Sequence, residues 1–192
     1  AYERGRLMGS LPREGGMLAA RMDAEAAEES VRMFPGISIA ALNGANSVVF
    51  SGDSRELEEL RQRLAGRRIV SQPLTVSHAF HSALMDPILD AFERTARDFS
   101  YEAPKIPFIS NVSGEVWQSD QAPDGEYWRR HIRGTVRFAE GVSALPALQL
   151  SALLEVGPDP VLLGMARASI PKNLAAIPSV RRGQDAWGGL QD

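Results

Sequence analysis

The sequence lacks several features that define whole classes of protein. It contains no cysteine, which excludes a disulfide framework and any metal site built from thiolates. No apolar run approaches the roughly 20 residues that a membrane-spanning helix requires. The first residues, Ala-Tyr-Glu-Arg-Gly-Arg, include neither an initiator methionine nor the apolar core of a signal peptide. We therefore expect a cytoplasmic chain that begins in mid-domain and has no membrane partner.

Charge and composition are those of an ordinary globular protein. Hydrophobic residues make up 44% of the chain, charged residues 23%, and the formal net charge is −3. This balance gives no electrostatic reason to expect nucleic acid as a partner. A length of 192 residues suffices for one domain, or for one small domain plus part of another.

Histidine is scarce, and two of the three histidines lie close together. His78 and His81 fall within Val76–Met85, three positions apart. The preceding residues, 72 to 76, alternate like the end of a strand, and the apolar residues that follow recur at helical spacing. The sequence therefore places both histidines on a turn between a strand and a helix, from which a rigid scaffold can present side chains to a ligand.

The first half of the chain predicts a compact unit with the order βαββαβ. Its four strands are expected at residues 16–22, 37–43, 47–51 and 68–71. Asp23 and Asp53 are expected to cap the two helices, and the second helix carries an apolar stripe at Leu57, Leu60 and Leu64. This order is the ferredoxin-like arrangement, with two helices on one face of an antiparallel sheet.

The second half predicts alternating helices and strands. Helices are expected at residues 82–99, 126–132, 138–148 and 160–168. Strands are expected at 107–111, 114–117 and 152–156, of which the first and the last are expected to be buried. Residues 118–125 read as a surface loop. Residues 1–14 are polar and punctuated by glycine and proline, so we expect them to be weakly ordered if the part of the protein that they adjoin is absent.

The histidine turn also carries a family resemblance. The motif His78-Ala-Phe-His81, followed by Ser-Ala-Leu-Met-Asp-Pro, resembles the histidine motif of malonyl-type acyltransferase domains of modular (type I) polyketide synthases. Further stretches match that family in the same order and span nearly the whole chain: Gly-Gly-Met-Leu-Ala-Ala at 15–20, Ala-Leu-Asn-Gly at 41–44, Ser-Val-Val-Phe-Ser-Gly at 47–52, Ser-Asn-Val-Ser-Gly at 110–114, Tyr-Trp-Arg-Arg-His-Ile-Arg at 127–133, and Leu-Glu-Val-Gly-Pro-Asp-Pro-Val-Leu at 154–162.

The resemblance implies a division of the chain. Residues 1–14 would end a segment of the large subdomain, 15–74 would form the ferredoxin-like small subdomain, 75–178 would belong to the α/β-hydrolase-like large subdomain, and 179–192 would be a linker. The family's Gly-His-Ser-x-Gly nucleophile motif is absent, and no Gly-x-Ser-x-Gly occurs in these residues. We therefore expect the C-terminal part of such a domain, with the nucleophilic serine and the arginine that pairs with the malonyl carboxylate in a segment outside this chain.

The resemblance also assigns roles to individual residues. His81 would be the catalytic base, because an imidazole titrates near neutrality. Phe80 and His78 would line the acyl pocket, and the bulk of Phe80 favours malonyl over methylmalonyl, for which the motif reads Tyr-Ala-Ser-His. Asn43 would line the cleft between the subdomains, and the backbone carbonyl of His131 would orient the base.

Alternatives remain for several of these residues. On spacing alone, His78 fits a structural hydrogen bond as well as a pocket wall, and Asn43 before Gly44 fits an ordinary turn. The side chains of Arg129, Arg130 and Arg133 fit a solvent-exposed amphipathic helix equally well.

The partners implied by the resemblance are malonyl-CoA, the phosphopantetheine of an acyl carrier protein, the missing N-terminal acyltransferase segment, and the ketosynthase and linker regions of the same synthase. No bound cofactor is implied.

Three rival functions compete with acyl transfer. A zinc site could use His78, His81 and His131, but the sequence offers no cysteine and no nearby acidic third ligand, so we expect no metal. An RNA-binding βαββαβ unit would need basic and aromatic residues on its central strands, which this sequence does not provide. A non-catalytic docking module for a carrier protein, or a module that binds a small ligand, remains an alternative.

Overall fold

A four-stranded sheet and two helices form the first part of the molecule. The computed structural model describes residues 1–117 and 120–180. After helix α1 (Tyr2–Gly9) come β1 (Gly15–Ala20), α2 (Ala24–Met33), β2 (Ile37–Gly44), β3 (Ser47–Asp53), α3 (Ser54–Gly66) and β4 (Ser71–Pro73). The strand order is β2-β3-β1-β4, and all three pairings are antiparallel. The predicted ferredoxin-like fold of this unit is confirmed.

Local sequence signals account for this unit. Asp23 accepts a hydrogen bond from the Ala26 N–H at 2.8 Å, and Asp53 accepts from the backbone N–H groups of Arg55 and Glu56, so both predicted caps form. Leu57, Leu60 and Leu64 turn one face of α3 toward the sheet, where they join Leu18 and Phe50 in the core. Burial of this stripe together with its core neighbours stabilises the unit.

The fourth strand begins three residues later than predicted and ends at Pro73. The backbone N–H groups of Arg67, Arg68 and Ile69 bond to carbonyls of the last turn of α3, and Arg68 adopts a left-handed conformation with φ of 60°. These residues close the helix in the manner of a C-terminal cap and so are not available for strand pairing. The left-handed residue at this helix end is an arginine rather than the glycine that is usual there.

The N-terminal segment is more structured than predicted. It forms α1, and Leu7, Met8 and Leu11 are buried in a cluster with Ile88 and Leu89 of α4 (Asp86–Arg97). The expectation of a weakly ordered segment is wrong, because its three apolar residues fall on one face and bury against α4.

The second half consists of helices and a small two-stranded parallel sheet. A short 3₁₀ turn (Ala83–Met85) leads into α4, followed by α5 (Gly125–Arg133), α6 (Phe138–Ala144), β5 (Ala152–Glu155), α7 (Val161–Ala166) and β6 (Ala175–Pro178). Strands β5 and β6 pair in parallel, and β6 was not predicted. The helix predicted over 138–148 changes to a 3₁₀ turn at Leu145, where Pro146 removes a backbone donor.

Three strand predictions in this half differ from the structure in detail. Residues 107–111 and 114–117 pair with each other as predicted, but only through an isolated antiparallel bridge between Ile109 and Val116, not as continuous strands. Strand β5 is not buried in this chain, since Leu154 is 57% exposed.

Ion pairs connect α4 and α5. Arg129 bonds to Asp90 and Glu93, and Arg133 donates to Asp86 at 2.7 Å. The arginines of α5 at positions 129 and 133 therefore link two helices. Within residues 1–117 and 120–180, no helix is long and apolar enough to cross a membrane. The linker predicted at 179–192 lies, from residue 181 onward, outside the described residues.

Candidate active site

The histidine motif forms a tight turn against β1. Ser82 is fully buried; its hydroxyl donates to the Ala79 carbonyl at 2.7 Å and accepts from the Leu84 N–H at 3.2 Å. Gly15 of β1 faces this turn so closely that a Cβ there would lie 2.6 Å from the Ala79 Cβ. Serine and glycine at these two positions therefore let the turn lie directly on the sheet.

His81 occupies a strained position at the end of this turn. Its φ of 62° lies in the left-handed region, which is uncommon for any residue other than glycine. Non-glycine residues in such conformations concentrate at functional sites, where the surrounding structure holds them. His81 is partly buried, so its imidazole is neither sealed in the core nor fully in solvent.

The imidazole of His81 is oriented by a backbone carbonyl. Its Nδ1 lies 2.9 Å from the carbonyl oxygen of Gly134. A carbonyl only accepts, so Nδ1 carries the proton and the neutral ring keeps its lone pair on Nε2. The prediction assigned this contact to the carbonyl of His131, which is wrong: His131 lies within α5, whereas Gly134 follows the helix end, where its carbonyl is free to accept.

Two neighbouring side chains, Arg4 and His131, influence His81. The pKa of His81 lies below its ordinary value, first because the ring is buried and then because Arg4 and His131 repel a positive charge; the hydrogen bond to Gly134 opposes these effects. The neutral imidazole is therefore the dominant form at neutral pH. A neutral ring with a bare Nε2 can accept a proton, which is what a general base must do.

Arg4 is a site residue that the sequence analysis missed. Its Nη1 lies 3.4 Å from Nδ1 of His131, and burial lowers the pKa of both groups, that of His131 also through the Arg4 charge. Among the described residues Arg4 has no carboxylate partner. The only sequence signal was an arginine at a position that becomes half-buried in an amphipathic helix, and that signal is weak.

His78 lies beside His81 in sequence but performs a different task. It is only 4% exposed, its Nε2 donates to the Leu11 carbonyl at 3.1 Å, and its Nδ1 contacts the Ser77 hydroxyl at 3.0 Å. With both nitrogens engaged, this geometry favours the structural alternative over pocket lining. His78 attaches the segment after α1 to the histidine turn.

Three further residues of the family motifs, Phe80, Asn43 and Glu155, have their own local surroundings. Phe80 is half-buried, packs against the cluster between α1 and α4, and has its ring centroid 6.0 Å from that of His78. Asn43 is half-buried near the end of β2, one residue before the β2–β3 turn. Glu155 caps α7 by accepting from the N–H groups of Leu162 and Leu163, a structural role. In the described ranges, no cluster of three or more His, Cys, Asp or Glu could hold a metal ion.

Comparison with known proteins places this geometry in a family. The acyl transferase domain family matches residues 1–189. The polyketide synthase GfsA of Streptomyces halstedii is 38% identical over 188 residues, covering 95% of this chain and 2% of that protein.

Two solved acyltransferase domains share the fold. The domain from the second module of the salinomycin polyketide synthase has a TM-score of 0.92 and 38% identity, covering 98% of this chain and 45% of that one. The SpnD acyltransferase domain in complex with 2-(pent-4-yn-1-yl)malonyl has a TM-score of 0.88 and 31% identity, covering 98% and 46%. This chain thus spans less than half of either domain, and it belongs to the acyltransferase domain family of type I polyketide synthases.

Proposed function

We propose that this chain supplies the general base of a domain that transfers a malonyl group from coenzyme A to the phosphopantetheine thiol of an acyl carrier protein. The observation that carries the proposal is the hydrogen bond from His81 Nδ1 to Gly134, which leaves Nε2 bare on a neutral ring. Acyl transfer between thioesters needs such a group, because a hydroxyl nucleophile must lose its proton as it attacks.

The proposed reaction has two symmetrical halves. In the first, Nε2 of His81 takes the serine proton, the serine oxygen attacks the malonyl thioester, and coenzyme A leaves as a thiol with the proton from His81. In the second, the carrier-protein thiol gives its proton to Nε2, attacks the acyl-serine ester and regenerates the serine hydroxyl. The serine belongs to a segment outside these 192 residues, so the fragment alone is proposed to be inactive.

Arg4 is proposed to bind the malonyl carboxylate. It is half-buried, has no acidic partner among the described residues, and lies close enough to His81 to lower the pKa of that residue. A guanidinium binds a carboxylate through two parallel hydrogen bonds, which would also fix the orientation of the acyl group. This revises the expectation that the carboxylate-binding arginine lies outside the chain. The malonyl ligand named for the SpnD domain is chemically consistent with such a group.

The apolar surface of the second half supports the proposal of a missing segment. A cleft of about 300 Å³ between α6, β5 and α7 is lined by apolar side chains such as Val142, Leu153 and Leu163. Val156 and Val161 nearby are 82% and 59% exposed. Contiguous apolar surface of this kind marks an interface. We propose that the segment carrying the serine covers it.

Replacing His81 with alanine tests the proposed base. In a complete acyltransferase domain containing this chain, His81→Ala should lower the rate of malonyl transfer by roughly 10²- to 10⁴-fold, the usual contribution of a positioned base. The measurement is intact-mass detection of malonyl-enzyme and malonyl-carrier protein over time. Arg130→Ala is the control, because that side chain lies on α5 and is 59% exposed. Near-normal transfer by the His81 variant would show that another group is the base.

Removing the charge of Arg4 tests the carboxylate site. Arg4→Met should lower kcat/KM for malonyl-CoA by about 10- to 100-fold, since a charged hydrogen bond contributes about 1.5–3 kcal/mol, and should leave acetyl-CoA use unchanged or improved. Arg6→Met is the control, because Arg6 lies on the same helix but is exposed and paired with Glu3. Equal losses with both acyl donors would contradict a carboxylate-specific role.

The bulk of Phe80 is proposed to favour malonyl over α-substituted donors. Phe80→Ser should raise the methylmalonyl-to-malonyl product ratio in a competition assay, because it opens space near the acyl α-carbon. Phe92→Ser controls for general loosening, since Phe92 packs on the same apolar cluster. An unchanged ratio in the Phe80 variant, or an equal rise in both variants, would refute the selectivity claim.

A further inference from the structure

The segment that carries Gly134 is attached to the edge of the small sheet. The Thr135 hydroxyl donates to the Ile39 carbonyl at 2.7 Å, and the Val136 N–H donates to the Ala40 carbonyl at 2.8 Å. The Leu42 N–H in turn donates to the Val136 carbonyl at 2.9 Å. Val136 thus forms a short parallel bridge with β2, although it belongs to the second half of the molecule.

A β-bulge makes β2 able to accept this segment. Strand β2 is an edge strand, and its register with β3 shifts between Ile39 and Ala41. Ala40 therefore has no partner on β3, yet it is completely buried. A bulge bends a strand and redirects its polar groups, and here the carbonyls of Ile39 and Ala40 find their donors in Thr135 and Val136. The bulge and the attached segment complete each other's hydrogen bonding.

Gly134 is consequently held from both sides. Its own N–H donates to the Arg130 carbonyl at 2.7 Å, which ties it to the end of α5. The next residue, Thr135, is tied to β2. Between these two anchors the Gly134 carbonyl has little freedom to turn, and this carbonyl accepts from His81 Nδ1.

We propose that Thr135 is a positioning residue that, through its hydrogen bond to the bulge of β2, aims the Gly134 carbonyl at His81. The small ferredoxin-like unit thereby controls the orientation of the catalytic base, in addition to any contact with substrate. The expected effect of Thr135 on malonyl transfer rests on the proposed function. Its effect on the His81 ring follows from the geometry alone.

The direction of the effect on His81 can be worked out. The Gly134 hydrogen bond raises the pKa of His81, whereas burial, Arg4 and His131 lower it. Arg133 lies on α5, as His131 does, but its positive charge is balanced by an ion pair with Asp86. If the carbonyl turns away while burial, Arg4 and His131 stay as they are, the pKa of His81 falls further. The imidazolium that forms during transfer would then be less stable and the reaction slower.

The test compares three variants in a complete acyltransferase domain. Thr135→Val removes the hydroxyl and keeps the branched shape, Thr135→Ser keeps a hydroxyl, and Thr95→Val removes a comparable hydroxyl bond, to Ala91, within α4. The first measurement is the NMR titration of His81 without substrate. The second is kcat and KM for malonyl transfer, with circular dichroism as a check on folding.

For Thr135→Val we expect a lower His81 pKa and a nearly unchanged KM. The kcat should fall on the order of tenfold, because the imidazole of His81 is no longer held in a fixed orientation. Thr135→Ser and Thr95→Val should resemble the unmodified domain. A wild-type His81 titration in folded Thr135→Val would overturn the inference, as would equal effects in Thr135→Val and Thr95→Val. If Thr135→Val does not fold, Thr135→Ser decides. A serine variant that keeps the hydroxyl but shifts the His81 titration away from that of the unmodified domain contradicts a role for the hydroxyl. A shifted titration in a domain whose His81→Ala variant transfers normally would instead reject the proposed function and leave this inference standing.

Discussion

One hydrogen bond, from His81 to the carbonyl of Gly134, organises the candidate site. It joins residues 53 positions apart and fixes which nitrogen of the ring is free. The surrounding elements position the two partners of this hydrogen bond. Ser82 and the close approach of Gly15 hold the histidine turn on β1, and the end of α5 delivers the carbonyl. Without this contact, the free nitrogen of a partly buried histidine in a left-handed conformation would have no defined direction.

The site depends on the contact between the two halves of the molecule. Thr135 and Val136 from the second half extend the edge of the small sheet, and His78 bonds the segment that follows α1. Edge strands expose unpaired backbone groups, which proteins usually cover or pair. Here the covering segment lies next to Gly134, whose carbonyl accepts from His81, so one arrangement both covers the edge and positions that carbonyl.

The sequence predicted those parts of the structure that depend on residue type and period. The stripe at Leu57, Leu60 and Leu64 and the two aspartate caps specify the ferredoxin-like unit, and the motif around His81 specifies a candidate base. The orienting carbonyl could not be placed, because any residue offers a backbone carbonyl and only the end of α5 decides which one is free. Arg4 was missed because its contact with His131 spans 127 positions and depends on how α1 packs. Strand β5 was read as buried from its apolar residues alone, and burial depends on what covers the strand.

The most direct test of this account is the tautomer of His81, observed by ¹⁵N NMR in a complete domain carrying labelled histidine, at a pH above the pKa of that residue. The account predicts that Nδ1 carries the proton and that Nε2 is bare, with the Nδ1 proton protected by its hydrogen bond to Gly134. A ring protonated on Nε2, or an equal mixture of the two tautomers, would contradict it, because His81 would then have no oriented lone pair with which to take a proton.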